Sequence, residues 1–276
     1  MRNIKNFLSS RACRAWRSRE CTWGIVALRF TTLAMTLSLF IVQAFAQDSS
    51  LQQKFDTANQ AYFSRNFPEA IQDYKQLEKQ GIVSADLFYN LANSYYRQGE
   101  IGEAIYNYLK AIRLTPRDRD LVANYNYILT KRAEGHEVRL RDRLLDTVFF
   151  LKNFLTLNEI LIVSLVSYWL LFAFAVLYYL KRKKGWMWVL VVFGVFNIYI
   201  LPTTFQKYYE EKIQKVAVVI TPTVSVFSEP TTESIKLFEL HEGSMAQVKD
   251  QKEGFVKIRF KDGKIGWAKQ DQLQIL

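Results

Sequence analysis

The sequence predicts a multi-domain membrane protein with three folded parts. These are an α-helical repeat solenoid, a two-helix transmembrane hairpin and a small C-terminal all-β barrel. Three observations predict this fold class. A 34-residue repeat occupies residues 52–134, two uncharged apolar runs follow it, and short stretches of alternating apolar and polar residues separated by turn residues fill residues 216–276.

Residues 1–46 have the composition of a secretory signal peptide. Basic residues precede an apolar stretch, Phe30–Phe45, and Ala44-Phe45-Ala46 offers small residues at a cleavage site. The basic region is long, so an uncleaved signal anchor is the alternative, and both options export the chain that follows. The two cysteines, Cys13 and Cys21, precede the expected cut. The mature chain would therefore have no cysteine for disulfides, thiol catalysis or metal binding.

The apolar runs predict transmembrane helices at residues 158–180 and 186–205. About 20 helical residues cross a hydrocarbon core of about 30 Å, and each run carries no charged side chain beyond Glu159. The short loop between them, residues 181–185, contains Lys181-Arg182-Lys183-Lys184. Basic short loops stay in the cytoplasm, so both flanking regions are expected on the non-cytoplasmic side of the membrane.

The net charge of +11 does not indicate a nucleic-acid partner. Residues 1–46 contribute six of these charges and the loop between the apolar runs contributes four more. The parts expected to be soluble are therefore close to neutral, whereas a nucleic-acid-binding domain usually has a strongly basic face. We expect no nucleic-acid partner.

The predicted repeat array occupies residues 47–134. The run Glu69-Ala70-Ile71-Gln72-Asp73-Tyr74 recurs 34 residues later as Glu103-Ala104-Ile105-Tyr106-Asn107-Tyr108. Small alanines allow two antiparallel helices to approach closely, and aromatic residues fill the seam. Residues 85–118 resemble a tetratricopeptide repeat (TPR). The resemblance implies a TPR array with repeats at about 51–84 and 85–118 and a capping helix at 119–133.

In TPR arrays the first helix of each repeat lines a concave groove that holds an extended peptide. The matching positions, spaced one turn apart, make six residues candidates for peptide binding: Asn59, Tyr62, Tyr89, Asn93, Tyr96 and Arg97. An asparagine can both donate to and accept from a peptide backbone, and Arg97 could meet a carboxylate. The alternative is that these aromatic side chains only cap a small array.

Residues 135–157 have the pattern of an amphipathic helix. Leu140, Leu144, Val148, Leu151 and Leu155 recur at helical spacing, with basic residues between them. A helix of this kind next to a membrane span is expected to lie in the membrane interface. Packing against the repeat array as a cap is the alternative.

Within the hairpin, Asn197 is the single strongly polar side chain of the second span. Counting depth from the outer ends places it level with Ser164 and Ser167. The sequence therefore predicts an interhelical hydrogen bond of about 1 kcal/mol. An ion pathway would need ionisable groups at this depth, so the hairpin is expected to be a passive anchor.

A linker is expected at 206–215, and residues 216–276 contain six predicted strands, Val216–Ile220, Val224–Phe227, Ile235–Phe238, Ala246–Lys249, Val256–Phe260 and Gly266–Ala268. This segment resembles a bacterial SH3 domain through Val224, Val226, Ser228, Pro230, Leu240, Gly243, Phe255, Val256, Ile258, Asp262, Gly263, Gly266, Trp267 and Ala268. Phe227 departs from that pattern, which often has a polar residue there. The resemblance implies a peptidoglycan or peptide ligand, although we expect Phe255 and Trp267 to be core residues.

The sequence predicts no catalytic, cofactor or metal site. The two histidines, His136 and His241, do not complete a His-Glu-x-x-His motif, and no glycine-rich phosphate loop is present. The predicted protein is therefore not an enzyme and needs no cofactor.

The order of parts resembles the BatE family of the Bacteroides aerotolerance group. That resemblance implies a non-enzymatic envelope scaffold, involved in oxidative or other stress tolerance, with von Willebrand factor A-type membrane partners and a MoxR-type ATPase. The alternative is a cell-wall-binding protein in which the SH3-like domain carries the specificity. Homo-oligomerisation through the repeats is also compatible with the sequence.

Overall fold

The computed structural model of the protein describes residues 51–131, 147–260 and 262–276. The expected signal segment, residues 1–46, and most of the expected interfacial helix lie outside these residues. The chain divides into two compact units, Met1–Asp56 and Thr57–Leu276, and all packing described below is within the second unit.

The N-terminal part of the described chain is a run of antiparallel helices, which confirms the predicted helical repeats. Its five helices are α1 (51–63), α2 (Phe67–Lys79), α3 (Ala85–Gln98), α4 (Ile101–Leu114) and α5 (Arg119–Leu129). Ser84 and Asp118 cap α3 and α5 by accepting hydrogen bonds from backbone amides of the first turn. The expected capping helix is α5, which ends at Leu129.

The two repeats pack their helices through the same residue types at equivalent positions. Ala58, Ala70, Ala92 and Ala104 are fully buried and bring the paired helices together. The Tyr74 hydroxyl donates to Asn59 Oδ1 at 2.6 Å, and 34 residues later the Tyr108 hydroxyl donates to Asn93 Oδ1 at 2.5 Å. Each repeat therefore joins its first helix to its second through the same Tyr–Asn bond.

The segment before the hairpin differs from the predicted continuous helix. Helix α6 spans only Phe150–Phe154, because Leu155 is extended and Thr156 starts the next helix as its N-cap. Lys152 is buried, with its Nζ 2.8 Å from Glu210 Oε1, while its carbonyl oxygen accepts from Lys207 Nζ at 2.5 Å. The described end of the segment thus packs against the C-terminal end of the second long helix.

The two apolar runs form helices long and apolar enough to cross a membrane. Helix α7 spans Leu157–Lys181 and α8 spans Lys184–Tyr208, followed by a π-helical turn at Tyr209–Ile213. Both helices extend beyond the predicted limits, so the connection shrinks to Arg182 and Lys183. The expected linker 206–215 is mostly helical.

Side-chain contacts show that α7 and α8 are antiparallel. Ser164 Oγ lies 2.5 Å from Thr204 Oγ1, Ser167 Oγ donates to Asn197 Oδ1 at 3.3 Å, and the Phe174 and Trp186 rings stack 5.9 Å apart. The predicted interhelical hydrogen bond from Asn197 to a serine at the same depth is confirmed, and the serine is Ser167. The Ser164–Thr204 contact was not predicted.

The C-terminal part is a seven-stranded antiparallel sheet in the order β3-β2-β6-β5-β4-β1-β7. Its strands are β1 (Val216–Val219), β2 (Thr223–Phe227), β3 (Lys236–His241), β4 (Met245–Lys252), β5 (Phe255–Arg259), β6 (Ile265–Lys269) and β7 (Leu273–Ile275). The six predicted strands are present and β7 is additional. Strands β3 and β7 stay at opposite edges, so the sheet is open and the predicted SH3-like barrel is not confirmed.

The inner face of the sheet buries a small aliphatic core. It contains Ala217, Val219, Val224, Val226, Leu240, Ala246, Val256, Ile258, Ala268 and Leu273. Trp267 is only 7% exposed, with Lys257 Nζ lying 5.6 Å from the centre of its ring system, and Phe255 is half-buried. Trp267 is therefore a core residue, as predicted.

The array and the sheet are in contact. The Gly102 amide on α4 donates to Glu242 Oε1 at 2.8 Å, and the Tyr125 hydroxyl on α5 lies 3.7 Å from Met245 Sδ. The array also reaches the start of α7, where Arg117 Nη2 lies 2.5 Å from Glu159 Oε1. The array and the sheet therefore lie at the same end of the hairpin.

Candidate peptide-binding groove

A cavity of about 380 Å³ lies on the face of the array formed by α1, α3 and α5. Its lining residues are Tyr62, Tyr89, Asn93, Tyr96, Arg97, Tyr108, Asn124, Tyr127 and Ile128. The α3 residues fall at positions three and four apart, so a single helix face carries them. We call this cavity the groove.

Five of the six candidate residues line the groove, and Asn59 does not. The Asn59 Oδ1 atom accepts from the Tyr74 hydroxyl at 2.6 Å and from Asn90 Nδ2 at 3.0 Å. The Asn59 Oδ1 atom is therefore already hydrogen-bonded within the array. The expectation that Asn59 accepts a hydrogen bond from a peptide loses support, because a ligand would have to displace two existing donors.

Asn93 is better placed. Its Oδ1 accepts from the Tyr108 hydroxyl at 2.5 Å, and burial raises the pKa of Tyr108 well above its usual range. This bond fixes the amide orientation, with Oδ1 as the acceptor. The Asn93 amide nitrogen is thus positioned to donate to a peptide carbonyl.

Helix α5 forms the third wall of the groove, which sequence reasoning missed because α5 was taken only as a cap. Asn124 Nδ2 donates to the Tyr89 hydroxyl at 2.6 Å and so joins two walls. Extending the 34-residue offset once more would have found this wall, since that offset carries Asn93 onto Tyr127.

Tyr96 and Tyr127 close one side of the groove. Their rings meet edge to face with centroids 6.1 Å apart. The interaction between the two hydroxyls raises the pKa of Tyr96 and lowers that of Tyr127. Lys131, 5.2 Å from the Tyr127 ring, also lowers the Tyr127 pKa. Tyr127 is exposed at the rim, where its hydroxyl can accept a hydrogen bond from a ligand.

A second cavity of about 400 Å³ adjoins the groove. It is lined by Tyr62, Phe63, Arg65, Phe67 and Arg97. Tyr62 and Arg97 line both cavities, so the two form one continuous depression. We call the second cavity the arginine cleft.

Comparison with known proteins supports the repeat assignment. Residues 85–118, which include α3 and α4, match the tetratricopeptide repeat family. No curated protein matches the chain. Within the three described segments, no group of three or more histidine, cysteine, aspartate or glutamate side chains could hold a metal ion.

TPR repeats generally mediate protein–protein interactions, and the family is typically a non-enzymatic binding module. The site fits that role. It offers aromatic rings, oriented amides and guanidinium groups along an open depression, all of which can bind a peptide.

Proposed function

We propose that this protein is a non-enzymatic scaffold that captures an extended peptide segment of a partner protein in its groove. The observation that carries the proposal is the convergence of Tyr62, Tyr89, Asn93, Tyr96 and Arg97 on one cavity. A TPR-containing helical region already indicates a role in protein interaction.

The groove is suited to a peptide rather than a small metabolite. Tyrosines provide large contact area with few rotatable bonds, so little entropy is lost on binding. The Asn93 amide nitrogen can donate to a backbone carbonyl, and the Tyr127 hydroxyl can accept from a backbone amide. Backbone recognition of this type tolerates sequence variation in the partner, while aromatic contacts contribute most of the affinity.

We propose that the hairpin anchors this scaffold in the bacterial inner membrane as a multi-pass protein. The basic cluster Lys181–Lys184 would face the cytoplasm, and the array and the sheet would face the periplasm. Reporter fusions at Lys183 and Leu276 test this topology, because they should report opposite compartments. Equal signals would contradict the proposed orientation.

The BatE-like order of parts supports a place in an envelope assembly linked to oxidative or other stress tolerance. Von Willebrand factor A-type membrane proteins are the partners that this resemblance suggests. We propose that the C-terminal segment 216–276 is an SH3-like module despite its open sheet, because its residues match that sequence pattern.

Site-specific photocrosslinking in intact cells tests the proposed function. A photoreactive residue at Tyr96, inside the groove, should crosslink a protein partner that mass spectrometry identifies. The same residue at Lys79, an exposed position at the end of α2, is the matched control and should not capture that partner. Equal yields at both positions, or no protein adduct at Tyr96, would argue against a peptide groove.

A second candidate function is cell-wall binding through the sheet. An open depression of about 640 Å³ on the sheet supports it, lined by Gly254, Phe255, Lys269, Gln270, Asp271, Leu273 and Gln274. Full-length protein in detergent should then sediment with purified peptidoglycan sacculi, and Phe255→Ala should reduce the bound fraction. Absence of sedimentation with the wild-type protein would remove this candidate.

A further inference from the structure

Arg65 has a backbone conformation that arginine rarely adopts. Its φ is 62°, in the left-handed region. It follows the last turn of α1, where the Asn66 amide donates to the Ala61 carbonyl at 2.9 Å and the Arg65 amide donates to the Tyr62 carbonyl at 3.0 Å. This pair of bonds is a Schellman motif, which normally has glycine at its left-handed position.

The second repeat shows what this position requires. The equivalent residue, 34 positions later, is Gly99 with a φ of 93°. Its motif has the same two bonds, from Glu100 to Tyr95 at 3.0 Å and from Gly99 to Tyr96 at 3.1 Å. Glycine fits there without strain, whereas a residue with a Cβ does not. The first repeat therefore has a strained arginine where the second has the conformationally favoured residue, and strain of this kind is often associated with a functional site.

The Arg65 side chain lines the arginine cleft beside Arg97, with three aromatic rings. Tyr62 contacts both Phe63 and Phe67 edge to face, at centroid distances of 5.8 and 5.7 Å. Phe63 is 80% exposed, which is unusual for a phenylalanine. Among the residues that the structure describes, no carboxylate pairs with Arg65 or Arg97 and none lines the cleft. The cleft thus combines two unbalanced positive charges with exposed aromatic surface.

We infer that the arginine cleft binds a carboxylate of the partner peptide, next to an apolar or aromatic residue of the same peptide. This inference rests on the proposed peptide-binding function and specifies the chemistry of the partner. Guanidinium groups bind carboxylates in a planar, two-bond geometry, and charge complementarity favours an acidic segment over a basic one. Phe63 and Phe67 supply the surface for the neighbouring apolar side chain.

Phage display tests the inference. A random 12-residue peptide library is panned against full-length protein in detergent micelles, and the retained pool is sequenced. We expect enrichment of aspartate or glutamate beside an aromatic or aliphatic residue, relative to the input library. A retained pool without acidic enrichment would overturn this inference and leave the peptide groove standing. No retained pool would overturn both.

Substitutions then locate the acidic contact. The Arg65→Gly substitution places glycine, the favoured residue, at the left-handed position. The midpoint of thermal unfolding should therefore be equal to or higher than that of the wild type. A selected acidic peptide should nevertheless bind about tenfold more weakly, as expected for loss of a charge-assisted hydrogen bond. Arg97→Gln should weaken it similarly. Arg119→Gln, an exposed arginine outside the cleft, is the matched control and should bind as the wild type does.

Peptide chemistry provides the second arm of the test. Replacing the selected acidic residue by its amide should weaken binding to the wild type strongly and binding to Arg65→Gly less, because Arg97 alone remains to contact the carboxylate. A synthetic pair with a free or an amidated C-terminus distinguishes a side-chain carboxylate from a terminal one. Unchanged affinity of Arg65→Gly for the acidic peptide would contradict the proposed site.

Discussion

Gly102 and Glu242 are 140 residues apart in the chain, and the Gly102 backbone amide donates a 2.8 Å hydrogen bond to the Glu242 carboxylate. This bond joins the first turn of α4 to the turn between β3 and β4. A negatively charged acceptor at the start of a helix also complements the helix dipole. The contact is close because residue 102 has no side chain.

Gly102→Ala should therefore separate the array from the sheet. A Cβ at residue 102 would lie 2.2 Å from the Val219 carbonyl oxygen and 2.8 Å from Ile220 Cα, both backbone atoms that cannot rotate away. Within a helix, alanine alone would stabilise by about 1 kcal/mol, so a lower free energy of unfolding can be attributed to the clash. Thermal unfolding and limited proteolysis in detergent measure the effect.

The matched control is Gly185→Ala, at a helical glycine whose added Cβ meets nothing within 4 Å. It should leave the proteolysis pattern unchanged. A Gly102→Ala protein as protease-resistant as the wild type would show that the array and the sheet do not require this contact.

The paired Tyr–Asn bonds predict different outcomes for Tyr74→Phe and Tyr108→Phe. Tyr74 bonds to Asn59 inside the first repeat, whereas Tyr108 and its partner Asn93 both line the groove. Each substitution should lower the free energy of unfolding by about 1 to 2 kcal/mol, because a half-buried acceptor loses a donor. Only Tyr108→Phe should also reduce peptide affinity, measured with a peptide retained by the wild type. Equal loss of affinity in the two variants would indicate a general effect of destabilisation.

Glu103 predicts a pH dependence of stability. Burial raises the pKa of its carboxyl, while Lys75 and a hydrogen bond from Gln274 lower it, and Glu100 and Glu78 raise it further. A carboxyl with a raised folded-state pKa disfavours the folded state once it ionises. Its unfavourable contribution therefore appears as pH rises from the unfolded pKa, about 4.3, through the higher folded value.

The Glu103→Gln variant should accordingly have a higher free energy of unfolding than the wild type at pH 7. The difference should vanish below about pH 4, where the Glu103 carboxyl is protonated and, like glutamine, carries no charge. Denaturant unfolding in detergent across this pH range is the measurement. Glu69→Gln, the equivalent position in the first repeat, is the control and should show no such gain, because Glu69 is exposed. A wild type that is the more stable protein at pH 7 would contradict the assigned burial effect.

Asn197→Val should loosen the hairpin without altering its topology. It removes the contacts with Ser167, whose Oγ and carbonyl oxygen lie 3.3 and 3.4 Å from the Asn197 amide. Interhelical bonds of this kind contribute about 1 kcal/mol. SDS-induced unfolding monitored by tryptophan fluorescence measures the loss, and Val195→Ala, on the exposed face of α8, is the control. A loss no larger than that of the control would indicate that this polar contact is dispensable.

Local patterns predicted much of this molecule. The 34-residue offset identified the paired helices, the uncharged runs identified α7 and α8, and depth counting placed Asn197 beside Ser167. Alternation and turn residues located six strands, because the side-chain period of two is a local property. All of these features depend on residues that are near in sequence or related by a fixed offset.

The features that could not be predicted from the sequence depend on contacts between residues that are far apart in the chain. Glu103 is half-buried, and Gln274 of β7 affects the pKa of its carboxyl, a long-range interaction that no local pattern indicates. The bond between Gly102 and Glu242 has no local signal, since a glycine in a helix has many possible causes. The resemblance to bacterial SH3 domains predicted a closed barrel. Closure requires the two edge strands to pair with each other, and β3 and the three-residue β7 do not pair.

The connection between α7 and α8 consists of Arg182 and Lys183, and at the opposite end the hairpin is tied at both helices. Arg117 pairs with Glu159 at the start of α7, and Lys152 pairs with Glu210 just beyond α8. The Arg117–Glu159 ion pair holds the array, and with it the groove, next to the start of α7. In a membrane, the groove would therefore move in two dimensions at a constant height. Partners at that height would meet it at a raised effective concentration, whereas those in bulk solution would gain nothing.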